Sequence, residues 1–73
     1  MNTNHKRKLQ SIGKKIAYFR KQKGLTQEEL AIKASISYSY LTKIEAPNYN
    51  ISFSIDTFLD IASALGIEPR ELL

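Results

Sequence analysis

The chain has 73 residues, no cysteine and an excess of basic over acidic side chains, 11 Lys+Arg against 7 Asp+Glu. That length supports one small domain of marginal stability, and neither a disulfide framework nor a cysteine-based metal site is available to reinforce it. No apolar run approaches a membrane span and residues 1–20 lack the apolar core of a secretory signal, so a cytoplasmic protein without a membrane partner is expected.

The charge is unevenly distributed. Residues 1–23 carry Lys6, Arg7, Lys8, Lys14, Lys15, Arg20, Lys21 and Lys23 and no acid. Residues 24–73 carry Lys33, Lys43 and Arg70 against seven acids. Such asymmetry suits a polyanionic partner on one side, or a solvated helix face with a basic tail. Charge alone leaves both open.

In chain order, residues 1–8 are polar, basic and aperiodic, and a flexible arm is expected there. From Leu9 to Lys23 the apolar residues Leu9, Ile12, Ile16, Ala17 and Phe19 recur at helical spacing. Gly24 then fits a left-handed stop. Thr26 and Glu29 match a capping box, which opens a second helix from Gln27 to Ala34 with Leu30, Ala31 and Ala34 as its apolar stripe. Leu25 is placed to pack against Leu30. After the turn Ser35-Ile36, Ser37 is expected to cap a third helix reaching Glu45, with Tyr40, Leu41 and Ile44 as its stripe and Tyr40 mostly structural. Ala46-Pro47 stops it, because the residue before proline is driven out of the helical region.

Residues 46–53 form a loop in which Ile51 and Phe53 are expected to turn inward. Ser54 can cap a fourth helix with a buried stripe of Ile55, Phe58, Leu59, Ala62 and Leu65. Gly66 ends it, Pro69 starts a last turn, and Leu72 and Leu73 are expected to close the core. The expectation is all-α, five short helices without strands.

The segment GLTQEELAIKASISYSYLTKIE, residues 24–45, closely resembles the phage-repressor-like helix-turn-helix family, the XRE or Cro/C1 type. Supporting matches are IGKKIAYFRKQKGLTQ in the first helix, SIDTFLDIASALG in the fourth and IEPRELL at the end. The resemblance covers residues 9–73 and implies a five-helix bundle that binds double-stranded DNA as a homodimer and regulates transcription, much as small restriction–modification controllers do. In that reading the third helix enters the major groove. No cofactor, metal or small-molecule ligand is implied.

The resemblance assigns roles by position. Tyr38, Ser39, Thr42 and Lys43 match the base-reading positions. Lys can donate to guanine O6 and N7, and Thr or Tyr can meet a thymine methyl. Gln27, at a helix start, matches a phosphate contact. Ser37, the hydroxyl of Tyr40, Asn48 and Asn50 of the following loop, and Lys6 and Arg7 of the arm are further phosphate candidates. Arg20 and Glu45 match a partly buried ion pair joining the first helix to the third. Ile67, Arg70, Glu71 and Leu73 are the expected dimer surface, and no further dimerisation or effector domain is expected beyond it. The chain departs from the family pattern in Ser35, where Gly is common, in Ala46-Pro47, and in a loop about two residues longer that lacks the usual Lys or Arg.

Catalysis is not expected. Only one histidine is present, His5, and it falls in the expected arm. Asp56 and Asp60 lie one helical turn apart, but an acid in a first helical turn has a dipole reason to be there. No glycine-rich phosphate loop exists. The competing class is a protein-interaction module, an antitoxin or adaptor, using Tyr38, Tyr40 and Tyr49 as hot-spot side chains. RNA binding ranks third, since no stacking platform is evident.

Overall fold

The computed structural model describes residues 3–47 and 51–73, with side chains from His5 onward. Asn48, Tyr49 and Asn50 lie outside the described residues. The order is α1 (Thr3–Gln22), α2 (Gln27–Ala34), α3 (Tyr38–Glu45), α4 (Ile55–Leu65) and a closing 3-10 turn (Pro69–Leu72). No strand occurs among the described residues. The expected fifth helix is thus a single tight turn, because four residues hold only one turn of 3-10 bonding.

Each boundary has a local cause. The end of α1 is closed by Gly24 at φ +70°, with the N–H of Leu25 reaching back to the Arg20 carbonyl. Thr26 accepts from the Glu29 N–H at 3.1 Å while the Glu29 carboxylate accepts from the Thr26 N–H at 2.8 Å, the reciprocal pair of a capping box. Ser37 caps α3 by accepting from the Tyr40 N–H, and Ser54 caps α4 by accepting from the Thr57 N–H. Gly66 ends α4 in the left-handed region.

The core is formed by Ile12 and Ile16 of α1, Leu30, Ala31 and Ala34 of α2, Leu41 and Ile44 of α3, Phe58, Ile61, Ala62 and Leu65 of α4, and Leu72. Phe19, Leu25, Ile36, Tyr40, Ile51, Phe53 and Ile67 pack against it from half-buried positions. α2 packs chiefly on α4 and α3, and α3 also lies against α1.

Three expectations change. α1 starts at Thr3 and not at Leu9, so residues 3–8 of the segment read as an arm form the helix's first turns. No Pro or Gly interrupts residues 3–8, and Lys and Arg favour helix. On α4, Ile55 (68% exposed) and Leu59 (44%) are outside, and Ile61 is inside instead. The buried arc of α4 centres on Phe58, Ile61 and Leu65, which leaves Ile55 and Leu59 on its flank. Leu72 closes the core alone, because Leu73 is 54% exposed.

Candidate nucleic-acid interface

α3 has eight residues, and at 1.5 Å per residue it spans about 12 Å, short enough to lie along a major groove. Its two inward residues, Leu41 and Ile44, are buried, which turns Tyr38, Ser39, Thr42 and Lys43 outward. Tyr38 is 51% exposed. Ser39 and Lys43 are exposed and Thr42 is half-buried. Successive residues of the pairs Tyr38/Thr42 and Ser39/Lys43 are stacked one turn apart. The four sequence-assigned base readers therefore share one face.

The Thr42 hydroxyl donates to the Ser39 carbonyl at 2.8 Å. Its proton is engaged within the helix, so towards a ligand Thr42 offers oxygen lone pairs and a methyl group. Tyr40 is half-buried and packs on the core, as expected of its place in the α3 stripe, and only the competing reading of it as an exposed hot-spot side chain is corrected.

What holds this face in place is a polar cluster behind it. Arg20 Nε donates to Glu45 Oε2 at 2.9 Å and Arg20 Nη2 to Oε1 at 3.0 Å. Arg20 Nη1 donates to the Leu25 carbonyl at 2.9 Å. Gln27 Nε2 also donates to Glu45 Oε1, at 3.1 Å. The Arg20 and Glu45 side chains are 12% and 4% exposed, and among the described residues no buried side-chain polar atom lacks a partner. The Glu45 carboxylate at the end of α3 thus ties together α1 and the start of α2, and Arg20 adds the bend before α2. Fork-to-carboxylate geometry of this kind fixes direction as well as distance.

Gly13 supplies the second clamp. A β-carbon there would overlap the carbonyl oxygen of Ile44, so the backbones of α1 and α3 meet where only glycine fits. The sequence carried a signal that was passed over, a glycine inside an otherwise regular helical pattern. The Gln27–Glu45 hydrogen bond carried none, since Gln27 lies 18 residues away.

The remaining candidates are scattered. Gln27 is half-buried at the start of α2, and Ser37 is exposed. Lys6 is half-buried and Arg7 exposed, both on α1. Asn48 and Asn50 fall outside the described residues. The basic residues from Lys6 to Lys21 are spread around α1 by the helical period. Lys15 and Lys8 donate to the Leu73 carbonyl at 2.8 and 3.3 Å, and Arg20 is paired. Ile67 is half-buried, Arg70 is exposed, and the Glu71 carboxylate accepts from the Glu68 N–H at 2.9 Å. No group of three or more His, Cys, Asp or Glu among the described residues could hold a metal. No helix of the described residues is long and apolar enough to cross a membrane.

A capped short helix, a tight turn and a second helix with a polar outer face, set on a helical bundle, define the helix-turn-helix class. Residues 13–73 match the helix-turn-helix domain family, and the chain belongs to that family. It is 47% identical over 63 residues to the immunity repressor protein of Bacillus phage phi105, covering 86% of this chain and 42% of that protein. It is 35% identical over 72 residues to the control protein C.BamHI of Bacillus amyloliquefaciens, covering 97% of this chain and 84% of that one. Among solved structures, the restriction-modification controller protein C.AhdI from Aeromonas hydrophila superposes with a TM-score of 0.82 at 37% identity, covering 89% of this chain and 96% of that one. The chain therefore spans less than half of the phage repressor and most of the two controllers.

Proposed function

We propose that the protein is a sequence-specific, double-stranded DNA-binding transcriptional regulator that acts as a homodimer in the cytoplasm and has no catalytic role. The observation that carries this is the outward face of α3, on which Tyr38, Ser39, Thr42 and Lys43 stand together while Leu41 and Ile44 anchor the helix. The repressor and control-protein names of the relatives support the regulatory part.

In this reading α3 lies in the major groove with its first turn towards the base edges. Lys43 donates to guanine acceptors, Thr42 offers its methyl to thymine, and Tyr38 covers apolar or hydroxyl contacts. Gln27 and Ser37, at the starts of α2 and α3, hold phosphates on either side of the groove. Arg7 and Lys6 add charge along the backbone of the duplex. Because Arg20 neutralises Glu45, the carboxylate behind the face does not repel the nearby phosphates.

A fluorescence anisotropy titration tests the reading, with a labelled duplex from upstream of the protein's own gene and a scrambled duplex, each at two salt concentrations. Tight binding to the first duplex that weakens steeply with salt is the expected outcome. Equal, salt-insensitive binding to both duplexes would reject it.

A further inference from the structure

We propose that the base pair met by Thr42 is A·T and not G·C, with the Thr42 hydroxyl accepting from the adenine 6-amino group while its methyl meets the thymine methyl. The inference rests on the DNA-reading proposal and adds to it the base chemistry that one position accepts and the base it refuses.

The Thr42 hydroxyl has one proton, and its place is fixed by the helix. Oγ1 donates to the Ser39 carbonyl at 2.8 Å, within α3 itself. That distance is the ordinary one for a well-made O–H···O bond. To donate to a base, the hydroxyl must first break this bond. To accept, it gives up nothing, because a hydroxyl oxygen carries two lone pairs beside its proton. Towards DNA, Thr42 is therefore an acceptor with a methyl group attached.

The bases differ on this point. On the major-groove edge guanine shows only acceptors, N7 and O6, whereas adenine and cytosine each show an amino donor. An oxygen that only accepts finds nothing on guanine. The methyl then decides between the two donors. Thymine, paired with adenine, carries a C5-methyl in the groove, and cytosine carries none. Among the natural pairs, only A·T offers a donor and a methyl together.

The neighbours divide the work. Tyr38, 51% exposed and one turn before Thr42, adds an aromatic ring to the same row. Lys43 is exposed in the adjoining row with Ser39, and an ammonium group has donors and no acceptor. The α3 face thus carries an acceptor-and-apolar row beside a donor row. An A·T pair for Thr42 next to a G·C pair for Lys43 answers both.

Selection of the full chain on duplexes with a randomised segment, followed by sequencing, supplies the bound sequence. A parallel selection with Thr42→Val marks the position that Thr42 reads, as the one whose base preference changes. Altered bases at that position are then compared by fluorescence anisotropy, with circular dichroism as the folding check on each variant. Uracil in place of thymine removes only the methyl, and is expected to weaken the wild-type chain by roughly three- to fivefold, the worth of one buried methyl group. Thr42→Ser keeps the hydroxyl without the methyl, and is expected to bind both duplexes equally. A G·C pair whose cytosine is 5-methylated regains a methyl beside an amino donor, and is expected to bind wild type better than plain G·C. The wild-type chain with altered bases carries the test should a variant fail to fold. A marked position that is G·C, a selection that Thr42→Val leaves unchanged, or a uracil effect absent from wild type or equal in Thr42→Ser would overturn the inference and leave the DNA reading standing. A library that yields no enriched sequence would remove both.

Discussion

Lys43 shows how much one side chain is asked to do. It is exposed on α3, one turn after Ser39, and its ammonium group is a flexible point donor. Lys43→Ala is expected to cost about 1–3 kcal/mol on the cognate duplex and much less on scrambled DNA, measured by anisotropy. An equal loss on both would make it a phosphate contact. Glu29 is a second single-residue case. The Thr26 backbone N–H, and then the Thr26 hydroxyl, hold its carboxylate below the ordinary value of 4.5. A folded pKa below the unfolded one stabilises above the ordinary range and loses that contribution as pH falls through the folded value. The stability gap between wild type and Glu29→Gln is therefore expected at neutral pH and should close on acidification below about 4.5 in chemical denaturation.

Elements are joined here by two backbone features that side-chain chemistry does not reveal. Ser35 ends α2 at φ 58°, ψ 40°, with its N–H bonded back towards α2. A left-handed conformation costs a residue with a β-carbon about 1 kcal/mol, and glycine adopts it freely. Ser35→Gly is expected to stabilise by about 0.5–1 kcal/mol in denaturant titration, the larger unfolded-state entropy of glycine offsetting part of the gain. The α2–α3 turn would keep its path, so DNA affinity should hold. Gly13 works in the opposite sense. Gly13→Ala replaces hydrogen with a methyl group against the Ile44 carbonyl. The expected loss is about 1–3 kcal/mol from overpacking, accompanied by weaker DNA binding at concentrations where the chain is folded, because α3 must move off α1. Unchanged stability would mean that the two helices separate easily.

At the scale of the whole molecule, the Arg20–Glu45–Gln27 cluster makes the fold and the site one object. It spans three helices through a single carboxylate. Arg20→Ala leaves Glu45 nearly buried without its counter-charge, for an expected loss of about 3–5 kcal/mol in thermal or denaturant unfolding. A large part of the stability of a 73-residue domain rests on such a term. Replacing both partners by apolar residues of similar size is expected to recover much of that loss while leaving Gln27 unheld. The double variant therefore separates the structural share of the cluster from its share in DNA binding.

Much of this protein was legible before any coordinates. Helix starts and stops were local, since Thr26, Ser37 and Ser54 cap with their own side chains and Gly24 and Gly66 take conformations that other residues resist. The inward stripes of α2 and α3 followed from spacing, and with them the outward set on α3. Tertiary structure decided what depends on neighbours distant in the chain. Which flank of α4 is buried turned on its packing against α2 and the closing turn, which left Ile55 and Leu59 exposed. Helix propensity and the contact of Lys8 with Leu73, 65 residues away, bear on whether the first residues stand apart or extend α1. The close approach of Gly13 to Ile44 and the hydrogen bond from Gln27 to Glu45 exist only once the helices have docked. A periodic pattern specifies which face an element turns inward, whereas the partner it meets, and the surface left over, are set by packing in three dimensions.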